Sequence, residues 1–196
     1  MPRITGTILA GGASSRMGRD KAFVPFAGRP LSEWVAAAVT AVVADVLVVG
    51  REGTLAGLRA VPDRTGAGPG PLGGLVTALA ETGTGVLLVA VDQPLVAPAT
   101  LRALIDLHSR DPGAAVVPVE DGVPQVTCAV YPQSWAEEAG GEAAAGGSIR
   151  SLLGRLPHRV VDEDEWRGWG EDGRSWLSID TPADLAAALR LLGPDR

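Results

Sequence analysis

The sequence predicts an α/β fold in which a mostly parallel sheet lies between two layers of helices. Apolar runs bounded by turn residues alternate with helix-compatible stretches, the pattern of successive βαβ units. The runs are also continuously apolar, as expected of strands buried on both faces. With 196 residues, 46% of them hydrophobic, and no internal repeat or long linker, residues 1–196 are expected to form one domain.

The first strand is expected over 4–9, ending at the glycines that follow Leu9. A helix-compatible stretch at 31–43 leads to strands at 45–50 and 58–62. A second, 72–81, leads to 85–91, which has no polar residue before Asp92 and fits the centre of a sheet. The helix expected over 98–109 precedes strands at 114–119 and 125–131, and a helix at 148–155 precedes a strand at 159–161. The last helix, 182–192, has a well-marked start, with Thr181 as N-cap, Pro182 at the first helical position and Asp184 in the first turn. Residues 139–147 (AGGEAAAGG) and 162–176 (DEDEWRGWGEDGRSW) read as excursions on the domain. Trp166, Trp169 and Trp176 in the second serve as packing or as a stacking surface.

Charge narrows the function. The net charge is −6 and the pI about 4.9, and no broad basic surface is visible, which argues against a nucleic-acid binder. No apolar run approaches the roughly 20 residues that span a bilayer, and no basic-then-apolar leader is visible, so a cytoplasmic location is expected. Cys128 sits in an apolar run and reads as a buried strand thiol. His108 and His158 follow no central strand and read as structural or surface residues. An anionic ligand must then be held by a local site.

Ligands of open α/β sheets bind beyond the carboxyl ends of strands, which directs attention to the residues after each run. After the first comes LAGGASSRMGRDKA, Leu9 to Ala22. Its glycines allow close backbone approach to phosphate oxygens, although its spacing fits neither the Walker A loop nor the dinucleotide fingerprint. Arg16, Arg19 and Lys21, the only lysine in the chain, cluster there against the acidic trend, with Asp20 the one carboxylate among them. Asp92 ends the most apolar run, where an unpaired carboxylate is costly, so it either meets a cation or caps a helix before Pro94. Asp63 follows a short strand and is a ligand group or a turn residue, and Gly70–Gly74 is a ligand-facing turn or a helix start. Ser14 and Ser15 have no neighbouring base to activate them and read as hydrogen-bonding or capping groups.

These stretches together resemble the nucleotidyltransferases that consume a nucleoside triphosphate, most closely the molybdenum cofactor guanylyltransferases. Leu9–Gly12, Ser15–Gly18 and Asp20–Lys21 resemble the first motif, and Asp63 with Gly70–Gly74 the second. Val91–Leu95 resembles the Asp-x-Pro motif, Gln125–Tyr131 a substrate-side strand, and Ile179–Leu185 the final Asn-Thr-Pro-Glu-Asp-Leu motif. The resemblance implies a Rossmann-like sandwich of the nucleotide-diphospho-sugar transferase type, with a nucleotide-binding N-terminal half and an acceptor-binding C-terminal half. It implies GTP and molybdopterin as substrates, Mg²⁺ as cofactor, and molybdoenzymes or cofactor-delivery proteins as further partners, with no nucleic acid and no membrane.

By the same resemblance Leu9, Ala10, Gly11, Gly12, Ser14, Ser15 and Lys21 hold the phosphates. Asp63 and Gly73 lie toward the base. Asp92 binds both nucleotide and metal, and Lys21, Arg16 and Asp92 carry catalysis; Asp180 reads as a second metal carboxylate or as a cap interaction for the last helix. A phosphate nucleophile is already ionised near neutral pH, so no general base is implied. The chain departs from the family pattern at Val48, where an asparagine is common. Asp180 and Asp92-Gln93-Pro94 are in turn more typical of the related cytidylyltransferases. Cytidylyl transfer, activation of another phosphorylated small molecule such as a sugar phosphate, and non-catalytic nucleotide binding are the alternatives.

Overall fold

A computed structural model of the chain describes residues 3–11, 20–64, 66, 68 and 70–192. In chain order the elements are β1 (Ile4–Leu9), the hairpin β2 (Pro25–Phe26) and β3 (Arg29–Pro30), α1 (Leu31–Thr40), β4 (Val46–Val49), β5 (Gly53–Leu55), β6 (Leu58–Val61) and α2 (Gly70–Thr82). There follow β7 (Gly85–Ala90), α3 (Pro98–Arg110), β8 (Ala115–Glu120), β9 (Val123–Pro124), β10 (Cys128–Tyr131), α4 (Ala136–Ala144), α5 (Ile149–Leu153), β11 (His158–Val161), α6 (Glu163–Arg167) and α7 (Pro182–Leu191).

The main sheet has the order β11-β8-β10-β7-β1-β4-β6-β5, with β9 paired to β8. β10, β5 and β9 run against the others, so the sheet is mostly parallel as expected. Val86, Leu87, Leu88 and Val89 of β7 are fully buried, and burial of each such side chain contributes roughly 1.5–3 kcal/mol. Their alternation serves both faces. Leu87 and Val89 join Ile8, Val48, Val35 and Leu104 on the face covered by α1 and α3. Val86 and Leu88 join Val49, Leu75 and Leu79 on the face covered by α2, α4 and α5.

Topology places the site. The chain leaves β1 through α1 to β4 and β6 on one side, then returns through α2 to β7 on the other side of β1. Right-handed crossovers in opposite directions put their helices on opposite faces, so the connections diverge above the carboxyl ends of β1 and β7.

Three expectations need correction. Residues 139–147 are not an excursion but are mostly α4, whose Ala139 and Ala143 are buried against the sheet despite the adjacent glycines. The run 125–131 forms a strand only over Cys128–Tyr131, and that strand is antiparallel to β7. The helix expected over 31–43 ends at Thr40, and the turn at Ala41–Val43, with Val42 N and Val43 N both bonded to Val39 O, leads the chain to β4. From the 162–176 segment Trp166 and Trp176 join the core, meeting edge to face at 5.2 Å.

Candidate active site

A cleft opens where the crossovers diverge. It is lined by Leu9, Ala10 and Gly11 after β1, by Val49 and Asp63 after β4 and β6, and by Ala90, Val91 and Asp92 after β7. Gly70, Pro71 and Gly74 of α2 close one side, with Asp20, Lys21, Thr127 and Ser178 completing the wall. Gly70 and Pro71 put the N-terminus of α2 in the wall, a favourable setting for negative charge.

Lys21 opens a short turn, Lys21–Phe23, capped by the Asp20 carboxylate accepting from the Ala22 N–H at 3.0 Å. Its Nζ donates to Asp92 Oδ2 at 2.8 Å and to Asp180 Oδ1 at 2.5 Å. Burial by itself pushes the ammonium down, yet the hydrogen bonds and charges of Asp180 and Asp92 outweigh it and hold the lysine above its ordinary value. Lys21 is thus fully charged at neutral pH.

Asp92 stands two residues after β7, and Val91 N donates to Leu9 O at 2.9 Å, which fixes the two strand ends together. Asp180 arrives by a longer route. Glu171, 7% exposed, accepts from the Thr100 and Ser175 hydroxyls and from the N–H groups of Asp172, Gly173 and Ser175. That buried carboxylate anchors the tryptophan-rich segment to α3. Ser175 Oγ accepts from Ala97 N, and Ile179 N donates to Asp92 O at 2.9 Å, one residue before Asp180. The Thr181–Asp184 capping box then fixes the start of α7.

Close approach explains two glycines. A Cβ at Gly50, which has φ +102°, would lie 2.4 Å from the Cα and N of Gly11. A Cβ at Gly11 would in turn stand 3.2 Å from Asp63 Oδ2. Asp63 is largely exposed, but partial loss of water at its carboxyl raises it above the ordinary value.

The structure therefore brings Leu9, Ala10, Gly11, Lys21, Asp63 and Asp92 into one cleft, with Asp180 bonded to Lys21 at its edge. Gly73 is buried inside α2, its carbonyl accepting from Thr77, and the neighbouring Gly74 is the one at the wall, where a side chain would strike Leu9. Gly12, Ser14, Ser15 and Arg16 lie outside the described residues. Val48 is buried in the core below, while Val49 faces the cleft. Thr127, Ser178, Gly50 and Arg51 were missed by the sequence reading. The signal available for Gly50 was its place directly after an apolar run. His108 is buried with Nδ1 paired to Ala114 O, and burial lowers it, so its role is structural.

Residues 6–160 match a family model described as a MobA-like NTP transferase domain. The chain is 36% identical over 201 residues to a probable molybdenum cofactor guanylyltransferase from Natronomonas pharaonis, covering 94% of this chain and 96% of that protein. It is similar to the crystal structure of molybdopterin-guanine dinucleotide biosynthesis protein A from Archaeoglobus fulgidus, with a TM-score of 0.84 and 25% identity over 96% of this chain and 98% of that one. A second similar structure is Rv0371C from Mycobacterium tuberculosis H37Rv in complex with manganese, with a TM-score of 0.70 and 25% identity over the same shares, 96% and 98%.

Proposed function

We propose, from the premise that the chain belongs to the MobA-like NTP transferase family, that it transfers GMP from GTP to the phosphate of molybdopterin, releasing pyrophosphate. The product is the guanine dinucleotide form of the cofactor. The observation that carries this reading is the Lys21–Asp92–Asp180 cluster, set at a strand-end cleft beside a backbone stripped of side chains at Gly11.

The residues fit Mg²⁺. Two carboxylates already converge on one cationic atom, and hard oxygen donors in that number suit an ion that keeps phosphate oxygens and water as its other ligands. Among the described residues no group of three or more His, Cys, Asp or Glu side chains forms a closed cage. When bound there, Mg²⁺ supplies charge neutralisation at the phosphates. The Lys21 ammonium supplies a point charge to a phosphate oxygen, and the Gly11 backbone lets the phosphates lie against the end of β1. Asp63, across the cleft, lies toward the base. No histidine lines the cleft, and a phosphate acceptor needs no base to ionise it near neutral pH. The chain's contribution is placement and charge.

The lining divides by half. By this reading Leu9 to Asp92 serve the nucleotide and Thr127 and Ser178, among the lining residues, serve the acceptor, within one domain. The reading includes a cytoplasmic location, with molybdoenzymes or cofactor-delivery proteins receiving the product. No described helix is long and apolar enough to cross a membrane.

Thermal unfolding with each nucleoside triphosphate and Mg²⁺, followed by pyrophosphate release with molybdopterin, tests the reading. Ligand at about a hundred times its Kd stabilises by about 2.7 kcal/mol. GTP should shift the transition and support release. A shift with CTP alone replaces the guanylyl reading with a cytidylyl one, and a GTP shift without release leaves a nucleotide-binding protein.

A further inference from the structure

Arg51 stands two residues after β4, at the end of the apolar run 45–50, where ligand-binding residues of such sheets are found. We propose that it is a positioning residue for nucleotidyl transfer. Through Asp20 it sets the turn that presents Lys21, and through the Ala10 carbonyl it holds the end of β1 beside that turn. The inference rests on the nucleotide reading of this cleft.

One nitrogen makes the connections. Arg51 Nη2 donates to Ala10 O at 2.8 Å, to Asp20 Oδ2 at 3.0 Å and to Asp20 Oδ1 at 3.1 Å. Asp20 Oδ1 also accepts from Ala22 N, so the carboxylate that Arg51 grips is the cap of the Lys21 turn. The guanidinium lies 5.4 Å from the ring centre of Phe23, the last residue of that turn. The left-handed Gly50 and its amide bond to Val61 O set the backbone from which this side chain departs.

On its arginine side the Arg51–Asp20 pair is far more enclosed than a fully solvated one. The Arg3–Asp45 pair exposes 72% and 52% of its side chains, and such pairs contribute little. The Arg51 side chain is 18% exposed, although Asp20 exposes 47%, and its Nε is buried without a hydrogen-bond partner among the described residues. A buried unmet donor is a cost that calls for an explanation. Holding two structural references, the end of β1 and the Lys21 turn, with one rigid group supplies it. A lysine has the charge and donors on one atom, but its shorter, freely rotating stem does not hold that atom between the two references as the rigid guanidinium does.

The test measures kcat and KM for GTP with Mg²⁺, together with nucleotide-dependent thermal shifts, on wild type, Arg51→Ala, Arg51→Lys, Asp20→Asn, Lys21→Ala and the Arg51→Ala/Lys21→Ala pair. Asp20→Asn keeps a capping oxygen while removing the charge that Arg51 grips. Loss of a charge-assisted hydrogen bond predicts about 10-fold or more off kcat/KM for Arg51→Ala. Arg51→Lys should recover part of that loss, and Asp20→Asn should resemble Arg51→Ala. If Arg51 acts through Lys21, the double variant is no worse than Lys21→Ala alone. Multiplicative losses in the double variant overturn the proposal, as does an Arg51→Ala enzyme with unchanged kcat and KM. Should Arg51→Ala fail to fold, Arg51→Lys and Asp20→Asn decide: wild-type kinetics in both overturn it. Wild type that no nucleotide stabilises removes the nucleotide reading itself, and this inference with it.

Discussion

The ammonium of Lys21 lies 2.5 Å from the carboxylate of Asp180, although 159 residues separate them in the chain. With Asp92 at 2.8 Å on its other side, the lysine occupies a position between two carboxylates that also suits a divalent cation. Under the proposed function, phosphate and metal binding in this cleft would be coupled through one side chain.

Lys21→Ala should cut turnover strongly and yet strengthen binding of Mn²⁺ alone, because no ammonium then competes for the carboxylates. Mn²⁺ titration followed by electron paramagnetic resonance, without nucleotide, checks it. Weaker Mn²⁺ binding than wild type would separate the metal from the Lys21 position.

Asp92→Asn should abolish metal-dependent turnover while leaving the circular dichroism spectrum unchanged, since the backbone bonds of this turn, Ile179 N to Asp92 O among them, do not need the carboxylate. Substantial remaining activity would remove Asp92 from the metal site.

Gly50→Ala should destabilise the protein by roughly 2–4 kcal/mol, combining a strained positive φ with a collision against the Gly11 backbone. Urea unfolding measures it. A loss near zero would mean that the ends of β1 and β4 separate freely.

Asp63→Asn tests a sign. Burial raises this carboxyl in the folded state above its unfolded value, so ionisation costs the folded protein stability at neutral pH, and the cost disappears as pH falls through the carboxylate range. The variant should be at least as stable as wild type at neutral pH, with no such advantage in acid, while nucleotide-dependent stabilisation falls. Thermal melts across pH give the answer, and a neutral-pH loss would show that the charge is held by partners.

Glu171→Ala should cost on the order of 2–4 kcal/mol by leaving two hydroxyls and several amides unpaired, and should raise the Mg²⁺ concentration needed for half-maximal activity. An unchanged Mg²⁺ requirement would mean that the segment it anchors does not place Asp180.

Much of the cleft could be read along the chain. β7 announced itself as a run without polar residues, and Asp92 as the carboxylate ending it. The lone lysine pointed to the loop after β1. Helix α4 was hidden because two glycines inside it weaken its propensity, and burial of Ala139 and Ala143 overrides that weakness. Ser178 carries no local signal, and Thr127 none beyond its place in the run Gln125–Tyr131, since each becomes a wall residue only when β10 inserts antiparallel beside β7 and the Glu171 anchor folds the late segment back.

Hydrophobic runs and turn residues are local properties, so the sequence by itself determined the strands, the helices and which polar residues stand at strand ends. Which of those ends meet is decided by the sheet order and by the reversal of winding at β1. Only the folded chain could show that Lys21 faces both Asp92 and Asp180, and that Arg51 holds the carboxylate capping the Lys21 turn. Those contacts join segments 31 to 159 residues apart, and their geometry follows from packing the two faces of one sheet.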